Sequence, residues 1–136
     1  MALTAVLEFG DNSIKRYSKQ YLVADCQLVF NRPRNAFSPG GAARCERVDL
    51  EVIAPGKDDL GLFEWYSTQS VQNGRLVISF IGNGLNDADS QILYFEEAKC
   101  FSLSEDYDIN SSRRRTLKLS ICAEEINIED VQFKSI

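Results

Sequence analysis

The chain predicts a mainly β fold: a small closed β-barrel of two sheets with one flanking α-helix. Three observations predict it. Apolar residues recur at every second position through most of the 136 residues, the period of a strand. Several of these runs are long and carry apolar residues on both faces, which suits a curled or closed sheet without free edges. Only the stretch after Pro55-Gly56 changes to helical spacing. The length suits one domain over 1–136, since ~100–200 residues is usual, and no linker, repeat or low-complexity segment interrupts it.

The elements follow in order. Leu3, Ala5, Leu7 and Phe9 alternate with Ala2, Thr4, Val6 and Glu8, a first strand with its apolar face on the odd positions, and Gly10-Asp11-Asn12 reads as a tight turn. Tyr21 to Asn31 places Leu22, Ala24, Cys26, Leu28 and Phe30 on one face, opposite Val23, Asp25, Gln27 and Val29. An irregular connection, Arg32 to Ala43, contains Pro33, Pro39, Gly40, Gly41 and an isolated Phe37. Arg44 to Ala54 is the cleanest alternation: Val48, Leu50 and Val52 against Arg47, Asp49 and Glu51, a half-buried strand with one wet face.

Lys57 to Thr68 is the helical stretch. Leu62, Trp65 and Tyr66 follow the i, i+3, i+4 rule, and Asp58 or Asp59 is placed to cap it. Gly61 inside it costs ~1 kcal/mol against Ala, which points to close packing on the sheet. Arg75 to Ile81 is a short strand between the turn signals Asn73-Gly74 and Gly82-Asn83-Gly84. In the long run Gln91 to Glu105, Leu93, Phe95, Phe101 and Leu103 share a face with Glu97 and Lys99. Arg115 to Ile128 sets Leu117, Leu119 and Ile121 against Lys118, Ser120, Cys122 and Glu124.

Composition excludes several functions. The 15 basic and 20 acidic side chains give a net charge of −5, and there is no histidine. Ser-His-Asp and Cys-His nucleophile systems and imidazole zinc sites are therefore excluded, and the acidic balance argues against nucleic-acid binding. No run approaches the roughly 18 apolar residues of a membrane-spanning helix, and the N-terminal apolar run is too short for a signal peptide, so cytoplasmic synthesis and folding are expected. Cys26, Cys45, Cys100 and Cys122 form no C-x-x-C pair and are expected to be buried or lining thiols.

No constellation of acid, base and nucleophile converges, so neither an enzyme nor a cofactor is expected. Glu96-Glu97 and Glu124-Glu125 are adjacent carboxylates, but neighbours on a regular strand face opposite sides and cannot hold one substrate. Asp87-x-Asp89 lacks a calcium loop's closing glutamate, and Gly82-x-Gly84 lacks a third glycine. Charge distribution is more informative. Residues 1–54 carry 7 basic and 6 acidic groups and residues 55–136 carry 8 and 14. Asn31 to Arg47 holds Arg32, Arg34, Arg44 and Arg47 against Glu46, while Glu105, Asp106 and Asp108 form an acidic turn. Such a chain suits head-to-tail stacking, with charge setting register and an apolar contact such as Phe37 supplying affinity.

Five blocks carry a family resemblance: Ala2 to Leu7; Leu62-Phe63-Glu64-Trp65; Asn73 to Phe80; Leu93 to Glu105; and Thr116 to Ile126. The most specific are Ala98-x-Cys100-x-Ser102 and Ser120-x-x-Ala123-Glu124. Together they resemble the tube-forming protein of type VI secretion systems, the haemolysin-coregulated protein (Hcp, TssD) family, in its divergent short branch. The better-known branch's Gly-Glu-Ser motif near the N-terminus is absent here. The resemblance implies homohexameric rings stacked into a hollow tube, with a contractile sheath, a spike and effector proteins in the lumen as partners. It further implies ejection from the cell after cytoplasmic assembly, without membrane insertion. The family's ring-stacking loop corresponds to Arg32, Arg34, Phe37, Pro39 and Gly40, with Glu105, Asp106 and Asp108 as the complementary acidic turn. A phage-like tail tube and a small-ligand-binding β-barrel are the alternatives.

Overall fold

A computed structural model describes residues 2–31, 34–35, 38–39, 44–53, 55, 59–81, 90–106, 116–129 and 131–134. The strands are β1 (Ala2–Asp11), β2 (Arg16–Asn31), β3 (Arg34–Asn35), β4 (Ser38–Pro39), β5 (Arg44–Ile53), β6 (Gln72–Ile81), β7 (Ser90–Asp106), β8 (Thr116–Ile128) and β9 (Val131–Lys134), with helix α1 (Gly61–Thr68) between β5 and β6. The strand order is β5-β2-β1-β6-β7-β8-β9, and an additional β5–β8 pairing closes it into a ring. β9 extends β8 beyond the ring, and β3 and β4 form a separate two-stranded ribbon.

Two halves of the ring share three long strands. β2 pairs with β1 through residues 16–23 and with β5 through 23–31. β7 pairs with β6 only up to Ala98, and β8 pairs with β5 from Thr116 to Ile121 and with β9 from Glu125 to Ile128. One half-sheet is therefore the start of β2, β1, β6 and the start of β7. The other is the end of β2, β5, the start of β8 and the end of β7. Strands that pass between sheets bend at bulges, and each bend reverses which alternate residues face inward.

These bends correct the strand faces read from strict alternation. In β2, Tyr21 and Val23 are buried while Leu22 and Ala24 are exposed; after the register shift at Val23/Asp25 the inward positions become Cys26 and Leu28. In β7, Leu93 and Phe95 are buried, then Ala98 and Cys100, and then Leu103 packs on the core, with Phe101 left exposed. The first switch falls at Glu97, whose φ is 53°, and the second at the Cys100/Ser102 register shift. β8 switches between Ala123 and Ile126, opposite Glu97. β1 and β5 do not switch: Ala5, Leu7 and Phe9, and Val48, Leu50 and Val52, are buried in simple alternation.

Two asparagines hold the corner. Asn73 and Gly74 are a bulge inside β6, not the turn their sequence suggests. The Asn73 side-chain oxygen accepts the Glu97 backbone N–H at 2.8 Å, a donor the bend takes off the ladder. Asn12 Nδ2 donates to the Gly74 and Phe95 carbonyls at 3.0 and 3.1 Å and to Glu96 Oε1 at 3.1 Å, and its Oδ1 accepts from the Tyr17 hydroxyl at 2.7 Å. A Cβ at Gly74 would lie 2.0 Å from the Glu8 carbonyl oxygen, so only glycine fits there.

The helix is shorter than its spacing suggests. It begins at Gly61, where Asp59 Oδ1 accepts the Gly61 N–H at 3.0 Å, and ends at Gln69 in the left-handed region. Gly61 is thus its first residue, and a Cβ there would stand 2.8 Å from the Tyr21 hydroxyl, the close packing its presence implied. Leu62 and Trp65 are buried, whereas Tyr66 is exposed. Phe9 contacts Tyr21, Trp65 and Phe95 edge to face, with centroids 5.9, 5.1 and 6.1 Å apart, each such pair worth ~0.5–1.5 kcal/mol beyond its burial.

Candidate assembly surfaces

The interior of the ring is occupied by its own side chains. Leu7, Phe95, Leu76, Leu93, Leu117, Ile121 and Val52 are fully buried, with Trp65 closing over them from α1. A small-ligand-binding barrel would need a closed apolar pocket; these residues fill that space, and the chemistry on view lies on the outer faces and at the two ends.

The outer faces of the two half-sheets differ. On the first, register aligns Leu22 with Val6, Val6 with Val77 and Val77 with Ile92, an apolar row across four strands; Leu22 is 54% exposed. The neighbouring row pairs Glu8 with Arg75, whose Nε lies 3.3 Å from Glu8 Oε1 and whose guanidinium stacks 4.2 Å from the Tyr17 ring centre. Strict alternation hides the apolar row, because it groups Leu22 with Cys26 and Leu28 until the bulge after Val23 is known.

The second half-sheet is wet, as Arg47, Asp49 and Glu51 predict. Register aligns Asp25, Glu51, Lys118 and Ser104 in one row, and Gln27, Asp49, Ser120 and Ser102 in the next. They line a shallow groove of about 400 Å³. Arg47 Nε lies 3.0 Å from Asp49 Oδ2, Ser120 donates to Asp49 Oδ1 at 2.7 Å, and Lys118 Nζ lies 3.1 Å from Asp106 Oδ2. Burial pushes the Asp49 carboxyl up, but the hydrogen bonds from Ser120 and Arg47 prevail and hold it below its usual range. Hydrogen bonding to Asp106 raises Lys118.

The two charged clusters singled out by sequence lie at opposite ends of β5. In the basic segment, Arg34 pairs with Pro39 and Asn35 with Ser38, a ribbon that follows the terminal Asn31–Arg44 pair of the β2–β5 hairpin. Arg32, Phe37 and Gly40 lie outside the described residues. At the other end, Ile53 pairs with Thr116 and Thr116 with Asp106. Glu105 is half-buried, Asp106 is exposed and bound to Lys118, and Asp108 lies outside the described residues. The ten residues of β5 separate the clusters by roughly 30 Å at strand rise, so the subunit does not bring them together.

The adjacent carboxylates are arranged differently from a regular strand. The bend at Glu97 leaves both Glu96 and Glu97 outside the core, between buried Phe95 and Ala98. Glu97 meets Glu124 across the strand pair, and the hydrogen bond its protonated carboxyl donates to Glu124, then the charge of Glu124, raises the Glu97 carboxyl above its usual value. Of the cysteines, Cys45 and Cys100 are buried, Cys26 is half-buried and Cys122 is exposed. Among the described residues no group of three or more potential ligands is placed to hold a metal.

A closed ring of strands filled by its own side chains, with two unlike outer faces and one short helix, defines a mainly β protein of a single sheet ring. The family model for hemolysin coregulated protein Hcp (TssD) matches residues 1–136, and the chain belongs to that family. No curated protein matches it in sequence. Its fold is similar to Hcp1 from Flavobacterium johnsoniae, with a TM-score of 0.68 and 24% identity over 99% of this chain and 100% of that one. It is also similar to Hcp1 from Salmonella typhimurium, with a TM-score of 0.67 and 11% identity over 93% and 85%. A chain of the six-fold symmetrised anti-feeding prophage baseplate shares the fold, with a TM-score of 0.55 and 13% identity over 94% and 93%.

Proposed function

We propose that this chain is the subunit of the inner tube of a type VI secretion system. Six copies close into a ring, and rings stack head to tail into a hollow tube. A contractile sheath propels the tube with a spike at its tip, and effector proteins travel in its lumen. The tube is assembled in the cytoplasm and ejected. The observation that carries this reading is the whole-length match to the Hcp family on a subunit with a filled interior and unlike ends. That family is one of structural tube proteins, and the role assigned here is correspondingly structural.

The ribbon end is the stacking element in this reading. Arg32, Arg34, Phe37, Pro39 and Gly40 reach the next ring, and Glu105, Asp106 and Asp108 belong to the end that receives them. Phe37→Asp, or Arg32→Glu with Arg34→Glu, should weaken ring stacking more than ring formation.

Electron microscopy of the purified protein, with light scattering at high concentration, tests the reading. Rings that stack on concentration are expected; a strictly monomeric protein without rings would refute it. A second reading, the tube of a phage-like injection machine, is favoured by the likeness to the anti-feeding prophage baseplate chain. The sheath and baseplate proteins encoded beside it separate the two.

A further inference from the structure

The end of the β2–β5 hairpin stands clear of the strand ring. β5 pairs with β8 only from Val48 onward, so among the described residues the start of β5 has a ladder partner on the β2 side alone. The β3–β4 ribbon grows from this end, beyond the Asn31–Arg44 pair. A register shift at Val29/Phe30 bends β2 at the same place. A two-stranded hairpin is marginally stable by itself in water, so its direction depends on what packs against it.

What packs against it is β9. The ring of Phe133 meets that of Phe30 with centres 4.9 Å apart and planes inclined by 46°. Phe30 is 44% exposed and stands one residue before the Asn31–Arg44 pair. Phe133 is half-buried and also packs on the core, opposite the buried Ile126 of β8. The two rings thus tie the base of the ribbon to the core through a strand that lies beyond the ring. β9 also approaches β5, yet it is lightly held. It has four ladder partners, all on β8, and Val131 is 56% exposed. The turn into it passes through Glu129 at a φ of 53°, a conformation that is costly for a residue with a side chain.

We propose that β9 is a latch on the ribbon. Docked, Phe133 fixes the direction in which the hairpin end leaves the ring; lifted, it frees that end while the ring stays closed. Release does not require unfolding, because β9 takes part in no pairing that closes the ring. Terminal elements with few buried contacts open locally, at far less cost than the whole domain. The pose of the basic segment is thereby conditional on a strand that lies far from it in the chain. The contact is made within one subunit and does not depend on the tube reading.

Limited trypsin digestion of the full chain, followed peptide by peptide by mass spectrometry, tests the latch. Trypsin cuts after arginine, which offers Arg34 in the ribbon and Arg44 at its base, with Arg113 and Arg114 toward the other end of β5 as internal controls. Phe133→Ala should speed initial cleavage after Arg34 and Arg44 roughly two- to tenfold, the range that an aromatic pair is worth. Cleavage after Arg113 and Arg114 should not change. Phe133→Tyr, which keeps the ring, should be cleaved as the unsubstituted protein is. Phe30→Ala reaches the same contact from the ribbon side without altering β9, and combining it with Phe133→Ala should add little. Equal acceleration at both ends would mean a general loss of stability and would overturn the latch. So would unchanged cleavage after Arg34 and Arg44 in both single variants, or two substitutions whose effects multiply.

Discussion

The indole N–H of Trp65 donates to the carbonyl oxygen of Ala98 at 3.1 Å, one residue past the left-handed Glu97. The bond ties α1 to the corner at which β7 leaves one half-sheet for the other. Trp65→Phe retains much of the ring's burial but removes this buried hydrogen bond, an expected loss of about 1 kcal/mol. Trp65→Ala adds a cavity and should cost about 3–5 kcal/mol. Chemical denaturation with unchanged m-values checks both.

Glu97 holds a backbone conformation that glycine adopts freely and other residues do not. Glu97→Gly should raise Tm by roughly 4 °C. The gain should depend on pH. Because Glu124 raises the Glu97 carboxyl, the native state holds that proton where the unfolded chain has lost it. Its stabilising effect is complete below the ordinary carboxyl value of 4.5 and is lost as pH rises through the raised native value. Thermal melts should therefore show Glu97→Gly gaining more at about pH 7 than at about pH 4; an equal gain at both would show that only backbone strain is relieved.

Asn12 joins β6, β7 and the β1–β2 turn through one amide. Asn12→Ala should cost about 1–3 kcal/mol, from the loss of its hydrogen bonds to two strands and to Tyr17. Asn12→Asp should cost more at neutral pH, because it sets a carboxylate against two carbonyls and Glu96. The gap between the two variants should narrow on acidification, when the new side chain takes up a proton. Urea unfolding at two pH values measures it.

Thiol labelling should divide the cysteines. Burial pushes Cys45 and Cys100 up to about 11 and also raises Cys26, whereas Cys122 is exposed. At neutral pH the native protein should show fast modification at Cys122 alone, with Cys45 and Cys100 reacting only on unfolding. Mass spectrometry of peptides after brief alkylation reads this directly; early modification of Cys100 would mean that the corner opens in the native state.

Sequence reading succeeded where a strand serves one sheet. β1 and β5 keep a single parity from end to end, so Leu7, Phe9, Val48, Leu50 and Val52 were legible as core. It failed where a strand serves two. A bulge adds no characteristic residue to β2 or β7, so strict alternation groups Leu22 with Cys26 and Leu28, although Leu22 is exposed and those two pack on the core. Asn73-Gly74 has turn chemistry but is used as a bulge, because the Glu8 carbonyl passes too close for any side chain. The four-residue β9 is too short for its alternation to be distinguished from loop. The charge of the basic segment and of the acidic turn is legible in the sequence, but what either contacts in an assembly is not.

The three strands shared between the half-sheets bear on how the subunit carries load. Each half is continuous with the other through the covalent backbone of β2, β7 and β8, rather than joined across a side-chain interface. A thrust that tries to slide one half over the other meets no seam to shear. It must bend strands at corners that Asn12, Asn73 and Trp65 already brace. Sliding of one half over the other is thereby coupled to bending of the strands at their bulges, the resistance that the proposed tube would need under thrust.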